Sequence, residues 1–123
     1  MKKQATKFLA DQDTLNLTDN LSINLINNPS PFSLPSHFSF NMVNMTKDAP
    51  HNGEMHPDGD EVVFVISGEI EVTLEFDEKE IIKVNTGEGL IIPKGIWHKI
   101  HIINPAQLVN IVPGPNFEFR MQK

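Results

Sequence analysis

Apolar and polar residues alternate with a period of two along much of this chain. In the segment 69–76, one parity consists of Ile70, Val72, Leu74 and Phe76, and the other parity carries mostly glutamates. Because successive strand side chains point to opposite faces, this pattern predicts a strand with one buried face and one solvated face. Several short segments of this kind, separated by turn residues, are typical of an all-β sandwich or barrel. The other predicted strands cover 38–42, 62–66, 81–84, 90–92, 97–103 and 108–112, with Phe38 and Phe40 expected in the core.

Glycine and proline mark the predicted breaks between these strands. Gly68 separates two apolar segments, and we expect a tight reversal with positive φ at this position. Asn104 and Pro105 predict a turn between the last two of the predicted strands. The Pro-Gly-Pro cluster at 113–115 predicts the end of the regular barrel.

The first 35 residues have the composition of an arm that precedes the main domain. Leucine and isoleucine alternate with asparagine over 15–25, which favours short strands over a helix. Three prolines between 29 and 35 then interrupt regular structure. We therefore predict an arm over 1–35, which adds strands to a sheet edge or to a dimer contact, and a barrel over 36–123 with a short C-terminal tail.

A chain of 123 residues has the size of one domain. Its formal net charge of -6 disfavours nucleic acid and anionic membranes as partners, because both would be repelled. Cysteine is absent, so a bound metal would need imidazole and carboxylate ligands. The apolar run near the N-terminus is too short for a secretory signal, and no segment approaches the roughly 18 apolar residues of a membrane span. These features favour a cytoplasmic protein.

Two short motifs contain the residues of chemical interest. The first is GEMHPDGDEVVFVISG over 53–68, and the second is GEGLIIPKGIWH over 87–98. The spacing of their histidines, acidic residues, glycines and proline resembles that of the cupin superfamily. The first motif is also similar to that of a bacterial group of small cupins carrying Gly-Glu-Met-His-Pro-x-Gly-Asp-Glu. The resemblance implies an all-β fold, a double-stranded β-helix or jelly-roll barrel of two antiparallel sheets.

The same resemblance implies a divalent metal site at the barrel mouth, with His56, Glu61 and His98 as ligands. Strand parity agrees with this, because His98 shares a face with two isoleucines and Glu61 shares a face with two valines. A carboxylate on such an apolar interior face is costly unless a cation compensates its charge. The alternatives are a hydrogen-bonded core histidine at 98 and an ordinary acidic loop around Glu61.

Glu54 occupies the position where members of the family usually have the first of two histidines. It lies two residues before His56, so both side chains can point to the same ion. Glu54 is therefore a candidate fourth ligand, or else a catalytic general base beside a three-ligand site. His51 is expected at the pocket rim, although a backbone bulge would let it replace Glu54. The carboxylate oxygens favour Mn(II), Fe(II) or Zn(II) over copper, and nickel also remains open.

The leading functional prediction is a metal-dependent enzyme for a small molecule, as in the dioxygenase members of the superfamily. The alternative is a module that binds or senses a small molecule without turnover. A metal-free isomerase or epimerase is less favoured, because this chain lacks tyrosine, which usually supplies the acid in the similar sugar-nucleotide epimerases. We expect a small-molecule ligand or substrate and a homodimer, with neither nucleic acid nor membrane as a partner.

Overall fold

The computed structural model describes residues 5–27, 29, 34–35 and 37–121. Among these residues, no helix is long and apolar enough to cross a membrane. The regular elements of the described chain are β1 (Thr14–Leu17), β2 (Ile23–Ile26), β3 (His37–Met45), β4 (His51–Met55), β5 (Glu61–Glu75), β6 (Lys79–Asn85), β7 (Gly89–Ile92), β8 (His98–Gly114) and β9 (Glu118–Met121).

These strands form two antiparallel sheets that share their two longest members. The first sheet has the order β2-β1-β3-β8-β5-β7. The second sheet has the order β9-β4-β8-β5-β6. Side chains from both sheets meet in one apolar core, which is the arrangement of a jelly roll. The predicted all-β fold class is therefore confirmed.

The strands β5 and β8 run through both sheets and pair with each other along most of their length. Their register shifts between Val65 and Ile70, where each strand passes from one sheet to the other. Gly68 lies at this bend with a φ of 90°, and a Cβ atom there would overlap the carbonyl oxygen of Pro105. The two backbones can approach this closely only because position 68 has no side chain.

Two turns predicted in this region are wrong. Gly68 has the expected positive φ, but it is a bend within β5 and not a reversal between two strands. Asn104 and Pro105 likewise lie inside β8, which is continuous across them. A bulge that redirects a strand uses the same glycine, asparagine and proline signals as a hairpin turn, so the local pattern does not separate the two.

The core contains aliphatic side chains from both sheets, and the parity of the buried residues of β5 changes at the bend around Gly68. Ile70, Val72 and Leu74 are at most 1% exposed, as their alternation with glutamate predicts. Phe76, predicted on the same buried face, lies beyond the end of β5 and is 40% exposed, so that part of the prediction is wrong. Valines and leucines of β5 and β8 meet the three buried side chains from the first sheet. Glu61 and His98 belong to the same set of fully buried side chains. Two ionisable groups are thus buried beside the aliphatic core.

The strand β3 has the opposite polarity to the one expected. Ser39 is 1% exposed and faces the interior, whereas Phe38 is 43% exposed and faces outward. Phe40 shares the outward parity of Phe38. The expectation that these two phenylalanines lie in the core is therefore wrong. On the interior side of β3, the polar Ser39 and Asn41 line a cavity, and the apolar Val43 and Met45 follow them.

Segments near both chain ends extend the sheets. The strand β1 pairs with β3, and β2 then forms the edge of the first sheet. The strand β9 pairs with β4, so regular structure does not end at the Pro-Gly-Pro cluster as predicted. The division into arm and barrel stays a prediction. Its residues 1–4, 28, 30–33, 36 and 122–123 lie outside the described part of the chain.

Candidate metal centre

Four polar side chains converge at one end of the jelly roll, where strands begin or end. Glu54 lies next to the last residue of β4, and His56 directly follows that strand. Glu61 and His98 are the first residues of β5 and β8. Each of the four offers one ligand atom, and these atoms all lie within 4.8 Å of one another. The structure thus brings together all four residues that the motifs single out.

Two acidic residues of the loop between β4 and β5, Asp58 and Asp60, fix this loop through hydrogen bonds. Asp58 accepts hydrogen bonds from the backbone and the side-chain amide of Asn116. Asp60 accepts a hydrogen bond from the backbone N–H of Lys94. Glu61 instead turns inward and is 2% exposed. The alternative of an ordinary acidic loop therefore describes Asp58 and Asp60, but it does not describe Glu61.

The carboxylate of Glu61 lies between the two imidazoles. Its Oε1 is 2.9 Å from Nε2 of His98 and 3.3 Å from Nε2 of His56. Oε1 of Glu54 is 3.4 Å from Nε2 of His98 and 3.9 Å from Nε2 of His56. Both histidines therefore present the same ring nitrogen to both carboxylates.

The hydrogen bonding of His98 leaves its inward nitrogen unsatisfied. Nδ1 lies 3.0 Å from the carbonyl oxygen of Ile96, so in a neutral ring Nδ1 donates and Nε2 carries a lone pair. That lone pair faces Oε1 of Glu61. Nε2 of His98, both ring nitrogens of His56 and Oε1 of Glu61 are buried without a hydrogen bond of good geometry. Acceptors packed this closely require a cation or an added proton between them.

The pKa shifts of His98 and Glu61 also indicate that a positive charge is required between these side chains. Burial lowers the pKa of His98, but the carboxylates of Glu54 and Glu61 outweigh it and raise this pKa to about 10. Burial raises the pKa of Glu61, but the neighbouring His56 and His98 outweigh that effect and lower this pKa below its ordinary value. Without another cation, a proton on His98 therefore compensates the carboxylate charge.

His51 also approaches this group from β4. Gly53 has a φ of 113°, and the register with β9 shifts between His51 and Glu54. Because of this bulge both side chains border the same cavity, with Nε2 of His51 4.0 Å from Oε2 of Glu54. Nδ1 of His51 accepts a hydrogen bond from the backbone N–H of Gly53. Within the described residues the four-residue group includes Glu54, and His51 lies beside it.

Two cavities open beside the group, and both are lined by Glu54 and Glu61. The first has a volume of about 180 Å³ and is mainly apolar, with His51 and Lys99 among its polar lining residues. The second has a volume of about 290 Å³ and is also mainly apolar. Its neutral polar residues are Thr14, Ser39, Asn41 and Asn110.

The sequence analysis missed these neutral polar residues. Thr14 donates a hydrogen bond of 2.6 Å to Oδ1 of Asn41, whose Nδ2 donates one of 3.2 Å to Ser39. Asn110 lines both cavities, and its Oδ1 is buried without a hydrogen bond. For Ser39 and Asn41 the sequence did contain a signal, because these two polar residues of β3 alternate with the outward Phe38 and Phe40.

Residues 41–112 match the family described as the cupin domain. The match covers more than half of the chain, so the chain belongs to the cupin family. No curated protein sequence matches the chain significantly.

Solved structures show the same fold. Oxalate oxidase in complex with the substrate analogue glycolate aligns with a TM-score of 0.57 and 22% identity, over 68% of this chain and 46% of that one. Oxalate decarboxylase from Bacillus subtilis gives a TM-score of 0.58 and 17% identity, over 68% of this chain and 24% of that one. A protein from Neisseria meningitidis gives 0.53 and 25%, over 66% and 79% of the two chains. This chain spans less than half the length of either oxalate enzyme, and the likeness to these two shows the fold alone.

Proposed function

We propose that Glu54, His56, Glu61 and His98 bind one divalent metal ion. The observation that supports this most directly is the buried 2.9 Å approach of Nε2 of His98 to Oε1 of Glu61, without a hydrogen bond of good geometry. A divalent cation would satisfy both atoms together with the buried Nε2 of His56. The contact of Nδ1 of His98 with the carbonyl group of Ile96 orients the ring as is usual for metal-binding histidines.

The donor set limits the choice of metal. Two imidazoles and two carboxylates suit manganese, iron, zinc or nickel. Cysteine is absent from the chain, so the soft thiolate ligands that favour copper(I) are missing. Two carboxylate charges balance those of one divalent ion, so the occupied centre would be close to neutral. Such a centre would accept an uncharged or singly charged ligand without strong repulsion.

We also propose that the centre acts on a small molecule, with a dioxygenase-like oxidoreductase as the favoured class. A bound metal would supply Lewis acidity or redox chemistry at this position. The cavities of about 180 and 290 Å³ admit only small ligands. Asn110 borders both cavities, and its buried Oδ1 would accept a hydrogen bond from a hydroxyl or amide group of the ligand.

Glu54 is the proposed catalytic acid–base group if the metal takes only three protein ligands. Its side chain is 26% exposed, whereas those of His56, Glu61 and His98 are at most 6% exposed. Glu54 also borders both cavities. A carboxylate that reaches both the ligand space and solvent can move a proton between them, which the enclosed Glu61 cannot do.

Metal analysis tests the binding proposal. Wild-type protein purified without chelator and without a nickel resin should contain close to one divalent ion per chain by elemental analysis. His98→Ala is expected to lose this ion. His101→Ala removes an exposed imidazole outside the group and is expected to keep it. A metal-free wild-type protein that also fails to bind added manganese, iron or zinc would contradict the proposal.

Turnover requires a separate measurement. Oxygen uptake by the iron-loaded or manganese-loaded protein can be followed with small diols, keto acids and dicarboxylic acids, oxalate included. Uptake that depends on one of these classes would support a dioxygenase. Firm binding of metal and ligand without turnover would instead favour a binding or sensing module.

A further inference from the structure

Two asparagines lie side by side on the inward side of the first sheet. Asn41 of β3 and Asn110 of β8 are directly paired across the two strands, and Val63 of β5 pairs with Asn110 from the other side. Directly opposite residues share a face of the sheet, with Cβ atoms about 5 Å apart. We call Asn41 and Asn110 the amide pair. Both line the second cavity, and Asn110 also lines the first.

The amide pair lies one row further along the sheet than the proposed metal ligand Glu61. Glu61 and Val63 are two residues apart in β5, and such residues of a strand are about 7 Å apart. The next row in the same direction contains the apolar Val43 and Leu108. A ligand that binds the metal and extends along this sheet therefore meets the two amides before it meets aliphatic side chains.

Hydrogen bonds fix the orientation of the Asn41 amide. The hydroxyl group of Thr14 donates a hydrogen bond of 2.6 Å to Oδ1 of Asn41, whose Nδ2 donates one of 3.2 Å to Oγ of Ser39. Oγ of Ser39 donates in turn to the carbonyl oxygen of Val112, which can only accept. The hydrogen bonds of the described residues thus use one N–H of Nδ2 and leave the second for the cavity.

Asn110 offers the complementary acceptor. Its Oδ1 is buried without a hydrogen-bond partner in the described part of the chain. Such a group destabilises the ligand-free protein, because it is removed from water and gains no donor in exchange. Buried acceptors of this kind are expected where a ligand or an ordered water supplies the missing donor. The amide pair therefore presents one donor and one acceptor on adjacent strands.

This combination selects between chemical groups. A carboxylate can only accept hydrogen bonds, so it would leave Oδ1 of Asn110 unsatisfied, and an ammonium group can only donate. A hydroxyl or a carboxamide group does both. Among the described residues that line the second cavity, the charged ones are Glu54 and Glu61, and His56 is the titratable one. A divalent ion would balance the two carboxylates, so the rest of this cavity offers no charge to a ligand.

We propose that the amide pair binds a hydroxyl or carboxamide group and thereby determines the substrate class of the metal centre. The inference rests on the proposed function, because the metal would hold the other end of the ligand. The substrate is then a small molecule with a metal-binding oxygen and, about two carbon atoms away, an uncharged hydroxyl or carboxamide group. Asn110 determines this specificity, and Thr14 is a positioning residue that acts through Asn41.

Recognition of an anion by Lys99 is the competing arrangement. Lys99 lines the first cavity, beside His51, but it does not line the second. A ligand with a second carboxylate would favour the first cavity, because that carboxylate would pair with the ammonium group of Lys99. The two arrangements therefore predict opposite preferences between a carboxamide and a carboxylate.

Isothermal titration of the zinc-loaded full chain with two pairs of hydroxamates tests the proposal. A hydroxamate binds zinc through its two oxygen atoms, so each probe is anchored at the metal. The first pair consists of the hydroxamates of β-hydroxypropanoic acid and butanoic acid, which differ by a hydroxyl in place of a methyl group. We expect the hydroxyl probe to bind the wild type at least about 10-fold more tightly. The second pair consists of the monohydroxamate of succinic acid and its carboxamide counterpart, and the carboxamide should bind more tightly.

Three variants identify the groups responsible. Asn110→Leu is expected to remove the preference for the hydroxyl probe and to keep the affinity for the butanoic acid probe. Thr14→Val should reduce the same preference, also without weakening the butanoic acid probe. Asn85→Leu makes the leucine substitution at an exposed asparagine outside both cavities and should change neither affinity. Urea unfolding without ligand should show Asn110→Leu at least as stable as the wild type, because an unsatisfied buried acceptor is removed.

The outcomes distinguish this inference from the metal centre. Probes that bind no better to the zinc-loaded than to the zinc-free protein would contradict the metal centre, and the inference would fail with it. Zinc-dependent binding of all probes, without preference for the hydroxyl or the carboxamide, would overturn the inference alone. A preference for the succinate carboxylate that Lys99→Met abolishes would assign the selectivity to Lys99 instead. A destabilised Asn110→Leu with an unchanged hydroxyl preference would show that this asparagine is only structural.

Discussion

Oε1 of Glu61 and Nε2 of His98 lie 2.9 Å apart in the protein interior. Each residue begins one of the two strands that run through both sheets. The side chains are 2% and 1% exposed, respectively. The position of the pair is therefore set by the pairing of β5 and β8 with their neighbours, and the ionisable groups are part of the core.

Removal of Glu61 is expected to destabilise the metal-free protein. Glu61→Ala leaves the buried imidazole of His98 without its closest counter-charge, and breaking a buried pair from one side costs about 3–5 kcal/mol. Urea unfolding in the presence of a chelator measures this loss. Glu80→Ala, at an exposed position on β6, serves as the control. Equal unfolding free energies for the two variants would show that the carboxylate of Glu61 does not stabilise the core.

Glu54 and His51 are expected to contribute differently to metal binding. Glu54→Gln preserves the shape of the side chain but removes its charge, so the affinity for Mn(II) should fall at least about 10-fold. His51→Gln should leave this affinity nearly unchanged, because His51 lies beside the four-residue group and not in it. Isothermal titration of both variants measures the difference. The reverse order of effects would make His51 the fourth ligand.

The two motifs predicted the meeting of the four residues better than they predicted the path of the strands. His56 and His98 converge as the resemblance of the two motifs to the cupin superfamily implied. The routes of β5 and β8 were not predicted correctly. At Gly68 the decisive fact is the nearness of Pro105, which lies far away in the sequence and leaves no local signal.

The sequence also did not predict which face of β3 points inward. Alternation identifies two faces of a strand but does not state which one points inward. Phe38 and Phe40 suggested that their own face was buried, whereas the interior contains Ser39 and Asn41. Here polar residues of β3 line an interior cavity while phenylalanines of the same strand point outward, which inverts the usual assignment.

Substitution of Gly68 is expected to disrupt the crossing of β5 between the sheets. Gly68→Ala places a Cβ against the carbonyl oxygen of Pro105 and 2.6 Å from Cα of Ala106, in a backbone with a φ of 90°. Steric overlap and backbone strain together should cost about 3 kcal/mol or more.

Gly87→Ala is the matched control for this substitution. Gly87 has a similar φ of 86°, but a Cβ there meets nothing within 4 Å. This variant should lose only about 1 kcal/mol, from backbone strain alone. Chemical unfolding of both variants gives the comparison. Equal losses would mean that the nearness of β8 does not restrict residue 68.

Asp48 and His101 connect the segment before β4 to β8. Oδ2 of Asp48 lies 2.9 Å from Nδ1 of His101, and Oδ1 accepts a hydrogen bond of 2.7 Å from the backbone N–H of Ile102. The hydrogen bond from Ile102 and the contact with His101 lower the pKa of Asp48. The carboxylate of Asp48 in turn raises the pKa of His101.

This connection is expected to stabilise the fold over a limited range of pH. The lowered pKa of Asp48 contributes stability above the ordinary value of 3.8, and this contribution is lost as the pH falls through the folded-state pKa. The raised pKa of His101 contributes stability below the ordinary value of 6.5, and this contribution is lost as the pH rises through the folded-state pKa. Asp48→Asn keeps an acceptor for Ile102 but removes the charge, so its melting temperature should fall below that of the wild type mainly between about pH 4 and 6.5. A difference that stays constant from acidic to alkaline pH in thermal unfolding would show that the ion pair does not contribute.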